Sequence, residues 1–133
     1  MSLLIRNALL GGSPTTILVE DGLIASLGEE READRTIDAT GLHAFPSLKN
    51  GHTHAAMTLF RGYGDDLPLM EWLGKKIWPA EQKLTEDDVY LGTRLALLEM
   101  IRGGITYLND MYWHRDAVAR AVMEMGMKAH LSS

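Results

Sequence analysis

The chain has no cysteine. That excludes disulfide staples and thiolate ligands, so any metal site must be built from His, Asp or Glu. It also lacks an excess of basic charge: 13 Lys and Arg stand against 18 Asp and Glu, a net charge of −5. Nucleic acid and anionic membranes both need a basic face, so neither is expected as a partner. No apolar run approaches membrane-spanning length. The opening Met1-Ser2-Leu3-Leu4-Ile5-Arg6 has neither the basic start nor the long apolar core of a secretory signal. Internal repeats and low-complexity tracts are missing as well. What remains is the expectation of a soluble, cytoplasmic protein of ordinary composition, 46% hydrophobic and 23% charged over 133 residues.

The most informative stretch present runs from Pro46 to Met57 and contains Gly51-His52-Thr53-His54. In a β-strand, side chains alternate between faces, so His52 and His54 point the same way with Cα atoms roughly 6.6 Å apart. From that separation two imidazole nitrogens can converge on one metal ion, each at about 2.0–2.1 Å for zinc. Thr53 then faces the opposite layer. Two histidines are fewer than the three protein ligands usual at a catalytic zinc, and such a triplet often arises by chance, so read alone it does not define a metal site. The Gly/Asp-rich loop Arg61-Gly62-Tyr63-Gly64-Asp65-Asp66 follows, and a strand delivering ligands to a long loop is where α/β folds keep their sites.

Residues 1–45 read as a small β-layer. Leu3–Ile5 and Thr15–Val19 are β-rich runs on either side of the turn Gly11-Gly12-Ser13-Pro14. Asp21-Gly22 is the tip of a hairpin leading into Leu23–Leu27. Thr36–Ala39 and His43–Phe45 read as further short strands around Gly41. Beyond residue 57 the pattern changes. A short helix is expected over Leu67–Leu73, interrupted by Ile77-Trp78-Pro79-Ala80-Glu81. A long helix opens at Thr85 as N-cap, with Glu86, Asp87 and Asp88 complementing its dipole. Val89, Leu91, Leu95, Leu97, Leu98 and Ile101 are expected to supply its apolar face, and Gly103-Gly104 ends it. A strand over Ile105–Asn109, a helix from Asp116 to Met125 and a strand from Met127 to Leu131 complete a β-α-β-α-β run, which implies a parallel sheet or barrel.

His43-Ala44-Phe45-Pro46 followed by Asn50-Gly51-His52-Thr53-His54-Ala55-Ala56-Met57-Thr58-Leu59-Phe60-Arg61-Gly62 resembles the opening of the metal-dependent amidohydrolase superfamily. The similarity is to the branch of methylthioadenosine/S-adenosylhomocysteine deaminases and triazine chlorohydrolases. Asp66–Leu73, Trp78-Pro79-Ala80-Glu81 and Asn109-Asp110-Met111-Tyr112 resemble the same branch.

The resemblance implies an α/β fold: residues 1–45 as the N-terminal part of a β-sandwich, and residues 46–133 as the first three strands and helices of a (β/α)8 barrel, incomplete in this chain. It implies one divalent metal, zinc or iron, in the complete enzyme, with His52 and His54 as ligands. It implies Glu81 as the carboxylate that holds the ribose hydroxyls of a nucleoside, where the plainer reading is a solvated helix-end carboxylate. The remaining ligands and proton-shuttling residues of the family lie on later strands, so no catalytic residue is assigned here and the chain alone is expected to be inactive. His114 is a faint further ligand candidate, His43 and His130 read as structural, and Asp110 reads as a buried hydrogen-bond anchor. Ser47 and Lys49 replace the family's glycine and aliphatic residue, and Lys49 has the parity of the helix layer. Ser133 falls near a substrate-contacting arginine of several deaminases.

The functional expectation is a hydrolase that deaminates an adenosine derivative through a metal-activated water, acting on a small nucleoside or heteroaromatic amine, in a homo-oligomer. A triazine-type chlorohydrolase and a guanine- or cytosine-type deaminase use the same opening motif. A reading of a different class is a non-catalytic remnant that assembles as an oligomer.

Overall fold

A computed structural model describes residues 1–132, so Ser133 lies outside the described residues. The chain divides into two compact units, Met1–Pro46 and the remainder from Ser47 onward.

The first unit is a four-stranded sheet, ordered β3-β2-β1-β4, of β1 (Ser2–Leu10), β2 (Ser13–Glu20), β3 (Leu23–Leu27) and β4 (Arg35–Asp38). Asp21 and Gly22 both take positive φ, 48° and 79°, the geometry that a two-residue hairpin needs to match the twist of its strands. β1 pairs antiparallel with β2 and parallel with β4. Leu4, Ala8, Ile17, Leu18 and Ala39 are buried within this unit. His43–Phe45 does not form the strand expected of it. Its only ladder contact is a single parallel bridge between His43 and Leu9, and Pro46, which has no amide hydrogen, cannot extend the pairing.

The second unit is a parallel sheet ordered β5-β6-β7, of β5 (Leu48–Thr53), β6 (Ile105–Met111) and β7 (Lys128–Ser132). The crossovers are α3 (Glu86–Arg102) and α4 (Arg115–Glu124). The sheet is open, with β5 and β7 at its edges. Between β5 and α3 run a 3₁₀ turn (Ala55–Phe60) and a helical stretch of α1 (Leu69–Trp72), a π segment (Leu73–Ile77) and α2 (Trp78–Glu81). The expected break at Ile77–Glu81 is therefore absent. In an α-helix the Pro79 ring would crowd the carbonyl four residues earlier. Here the wider π turn precedes it, and Pro79 sits in the first turn of α2, where its missing donor is tolerated.

α3 starts where the sequence places it. Thr85 Oγ1 accepts from Asp88 N–H while the Asp88 carboxylate accepts from Thr85 N–H, a reciprocal capping box. The Asp88 carboxylate also accepts from the Thr85 hydroxyl at 2.6 Å, and this bond first, then the one from Thr85 N–H, holds the Asp88 carboxyl below its ordinary range. Its buried face differs from the expected one. Val89 and Leu97 are buried, but the other buried positions are Gly92, Thr93 and Ala96, while Leu91, Leu95, Leu98 and Ile101 are exposed. Small residues face inward because the helix lies close against the 3₁₀ turn: a Cβ on Gly92 would sit 2.8 Å from the Ala56 carbonyl oxygen. Thr58 Oγ1 donates to the Gly92 carbonyl at 2.8 Å across the same seam. Leu108, Val118, Ala121 and Val122 complete the core on the β6–α4 side.

Candidate functional site

Most of β5 pairs with β6, but the ladder shifts register between Asn50 and Thr53. Asn side chains fill the gap: Asn50 Oδ1 accepts from His52 N–H at 3.2 Å, and Asn109 Nδ2 donates to the Gly51 carbonyl at 3.2 Å. His52 is exposed at this irregular end, and His54 follows it as the residue before the 3₁₀ turn, half-buried. Their rings come together, centroids 5.0 Å apart and edge to face at 79°. Thr53 turns to the other side, beside Ala96, Glu99 and Met100 of α3.

His54 is held from β6. Its Nδ1 lies 2.6 Å from the Met111 carbonyl oxygen. A carbonyl only accepts, so Nδ1 carries a proton, and in the neutral ring Nε2 keeps its lone pair free. This is the arrangement in which a metal-binding histidine is oriented by a backbone carbonyl on its second nitrogen. One residue earlier, Asp110 is 2% exposed, and its Oδ1 accepts from Ala55 N–H at 2.7 Å, pinning the start of the 3₁₀ turn. Burial pushes the Asp110 carboxyl up, and the Ala55 amide and His54 partly offset that. The donor set thus fits a metal through the histidine pair. Among the described residues no group of three His, Asp or Glu converges to complete one.

Beside His54 opens a cleft of about 620 Å³, formed by the 3₁₀ turn, the helical stretch 69–81 and the residues after β6. All three tryptophans of the chain, Trp72, Trp78 and Trp113, line it, together with Tyr112, Glu81 and His114. Trp72 is fixed by its indole N–H, which donates to the Tyr63 carbonyl at 3.0 Å. Glu81 ends α2 half-buried on this wall. Tyr112 is buried and tilts against His54, with ring centroids 6.3 Å apart. Burial and then the Glu81 carboxylate raise its phenol well above the ordinary value.

His52, His54 and Glu81, picked out in the sequence, therefore occupy one side of this unit, with His54 and Glu81 on the same cleft. His114 joins that cleft at its rim, exposed and in the left-handed region at φ 52°. His43 instead stacks on Phe45 in the first unit, and His130 is exposed on β7. Lys49 is exposed on the edge strand, so its ammonium stays in water. Ser47 has a partner of its own, Thr106 Oγ1, at 2.6 Å. Sequence reasoning missed the Met111 carbonyl, Tyr112 and the convergence of the tryptophans. The signal available was the scarcity of aromatics, 7% of the chain, against their clustering at positions 72, 78 and 112–113.

A parallel β-α-β layer with paired histidines at the C-terminal end of its first strand defines an α/β protein of the kind that gathers its chemistry at strand ends. Residues 44–133 match the family model described as the amidohydrolase family, and the chain belongs to that family. It is 55% identical over 142 residues to a 5-methylthioadenosine/S-adenosylhomocysteine deaminase of Desulforudis audaxviator, covering 98% of this chain and 33% of that protein. It is 55% identical over 119 residues to a 5'-deoxyadenosine deaminase of Methanosarcina acetivorans, covering 88% of this chain and 28% of the relative. Among solved structures, a zinc-bound adenosine deaminase from Xanthomonas campestris superposes with a TM-score of 0.88 at 34% identity, over 96% of this chain and 32% of that one. The chain thus spans about a third of the length of the relatives it matches.

Proposed function

We propose that this chain supplies the first histidine pair and a substrate-facing wall of a metal-dependent hydrolase that deaminates an adenosine derivative. The observation that carries this is the convergence of three tryptophans, His54 and Glu81 on one cleft. A planar heteroaromatic ring buries well against indole faces, and a carboxylate at one end of such a cleft accepts from sugar hydroxyls. His52 and His54 would hold the metal, which when bound lowers the pKa of water toward about 7. The Met111 carbonyl sets which nitrogen of His54 is offered, and Asp110 fixes the turn that follows. The tryptophans orient the ring and exclude bulk water, and Glu81 selects the sugar. In the same reading, β1–β4 belong to a β-sandwich, and β5, β6 and β7 are the opening strands of a (β/α)8 barrel. The 55% identity to methylthioadenosine/S-adenosylhomocysteine and 5'-deoxyadenosine deaminases supports this choice of substrate class.

The test is ammonia release by the zinc-loaded protein, expressed as its gene encodes it in full, from methylthioadenosine, S-adenosylhomocysteine and 5'-deoxyadenosine. Release from at least one is expected, with His54→Ala abolishing it. A zinc-loaded protein that leaves all three intact would overturn the reading.

A further inference from the structure

Tyr112 directly follows β6 and is 7% exposed, yet its Oη finds no hydrogen-bond partner among the described residues. Burying an unpartnered hydroxyl costs free energy, and phenylalanine would fill the same space without that cost. The hydroxyl therefore calls for a ligand-side explanation. The ring lies against His54, and both line the cleft that Glu81 also lines. Of the charged groups around the phenol, Glu81 acts on it most strongly and Asp110 less so. Asp110 is already committed to the Ala55 amide. The Glu81 carboxylate is within reach of the phenol and raises it, yet no hydrogen bond of ordinary geometry joins the two, so donor and carboxylate are poised to pair.

We propose that Tyr112 is a positioning residue for Glu81: with a ligand in the cleft, its O–H donates to one carboxylate oxygen and leaves the other to accept from a vicinal diol on that ligand. This rests on the reading of the cleft as a nucleoside site. Tyr112 then sets the preference for a ribose over a sugar lacking its hydroxyls, while Glu81 provides the contact. A carboxylate with one oxygen fixed presents its second along a defined direction, which a freely rotating helix-end glutamate does not.

The experiment compares wild type with Tyr112→Phe in the protein as its gene encodes it in full. The substrates are an adenine nucleoside with its 2',3'-diol and the matching 2',3'-dideoxynucleoside. KM for the diol substrate is expected to rise about tenfold, as for loss of a hydrogen bond to a charged group, with kcat and the dideoxy KM unchanged. In Glu81→Gln the diol preference is expected to fall, and adding Tyr112→Phe to it should change nothing further. The melting temperature of Tyr112→Phe should stay level or rise, since the hydroxyl removed has no partner. A variant that keeps the diol preference overturns the role of Tyr112 and leaves the nucleoside reading intact. A wild type with no diol preference overturns the nucleoside reading, and this inference with it. A lowered melting temperature, or an equal rise in both KM values, marks a structural hydroxyl and also overturns the proposal.

Discussion

His54 Nδ1 donates to the carbonyl oxygen of Met111 at 2.6 Å, which joins the residue just past the first parallel strand to the last residue of the second. This bond fixes the ring's tautomer before any ligand arrives. Nitrogen-15 NMR of the neutral imidazole is expected to show the proton on Nδ1 and a bare Nε2. A proton resident on Nε2 would contradict the arrangement.

Removing either histidine tests the pair as ligands. His52→Ala and His54→Ala should each weaken zinc binding by at least the roughly 10–100-fold that loss of an outer-shell partner brings. Competition with a chromophoric chelator measures this, and unchanged affinity in both would exclude the pair.

The seam between α3 and the 3₁₀ turn leaves no room at position 92. In Gly92→Ala the new Cβ meets the Ala56 carbonyl oxygen at 2.8 Å and Leu59 Cγ at 2.9 Å, the first of them backbone. A loss of about 1–3 kcal/mol is expected by urea denaturation, typical of overpacking, despite alanine's better helix propensity. A stabilised variant would show that the helix and turn separate easily.

Because the chain's three tryptophans share one cleft, its tryptophan emission, excited selectively, reports that cleft. An adenine nucleoside should quench the emission saturably, and Trp78→Phe should reduce the amplitude. Emission that is indifferent to nucleoside at millimolar concentration would contradict a ring-binding cleft.

The Asp88 carboxyl titrates below its ordinary value of 3.8 in the folded chain. A lowered folded-state pKa contributes stability that is present above the unfolded value and is lost as pH falls through the folded one. Asp88→Asn should therefore be less stable at neutral pH and lose less stability than wild type on acidification below about pH 4. Thr85→Ala removes the other half of the box and should cost about 1 kcal/mol. Parallel acid-denaturation curves for wild type and Asp88→Asn would contradict the assignment.

Much of this site could be read from local pattern. The spacing of His52 and His54, the cap at Thr85 and the Asp21-Gly22 turn are each decided by chemistry within a few residues, and the structure has them. The β-α-β succession likewise gave the parallel sheet. The face of α3 was not legible because hydrophobicity does not report approach distance. Where a helix closes to contact at Gly92, its small residues go inside and Leu91, Leu95 and Leu98 stay out. The helical run through Pro79 was hidden by a π turn that no propensity marks. The aromatic cleft draws on residues near 54, 72–81 and 111–114, whose meeting depends on the strand pairing.

The bond from His54 to Met111 spans 57 positions of chain. As the polypeptide is made, the histidine pair therefore leaves the ribosome long before the carbonyl that orients it exists. Until then the neutral imidazole is free to carry its proton on either nitrogen. The closure entropy of so long a loop grows only slowly with its length, so the later docking of β6 can supply that choice at modest cost. Orientation of His54 is thus a late event in the birth of the chain, set by the second strand of the sheet and not by the strand that leads into it.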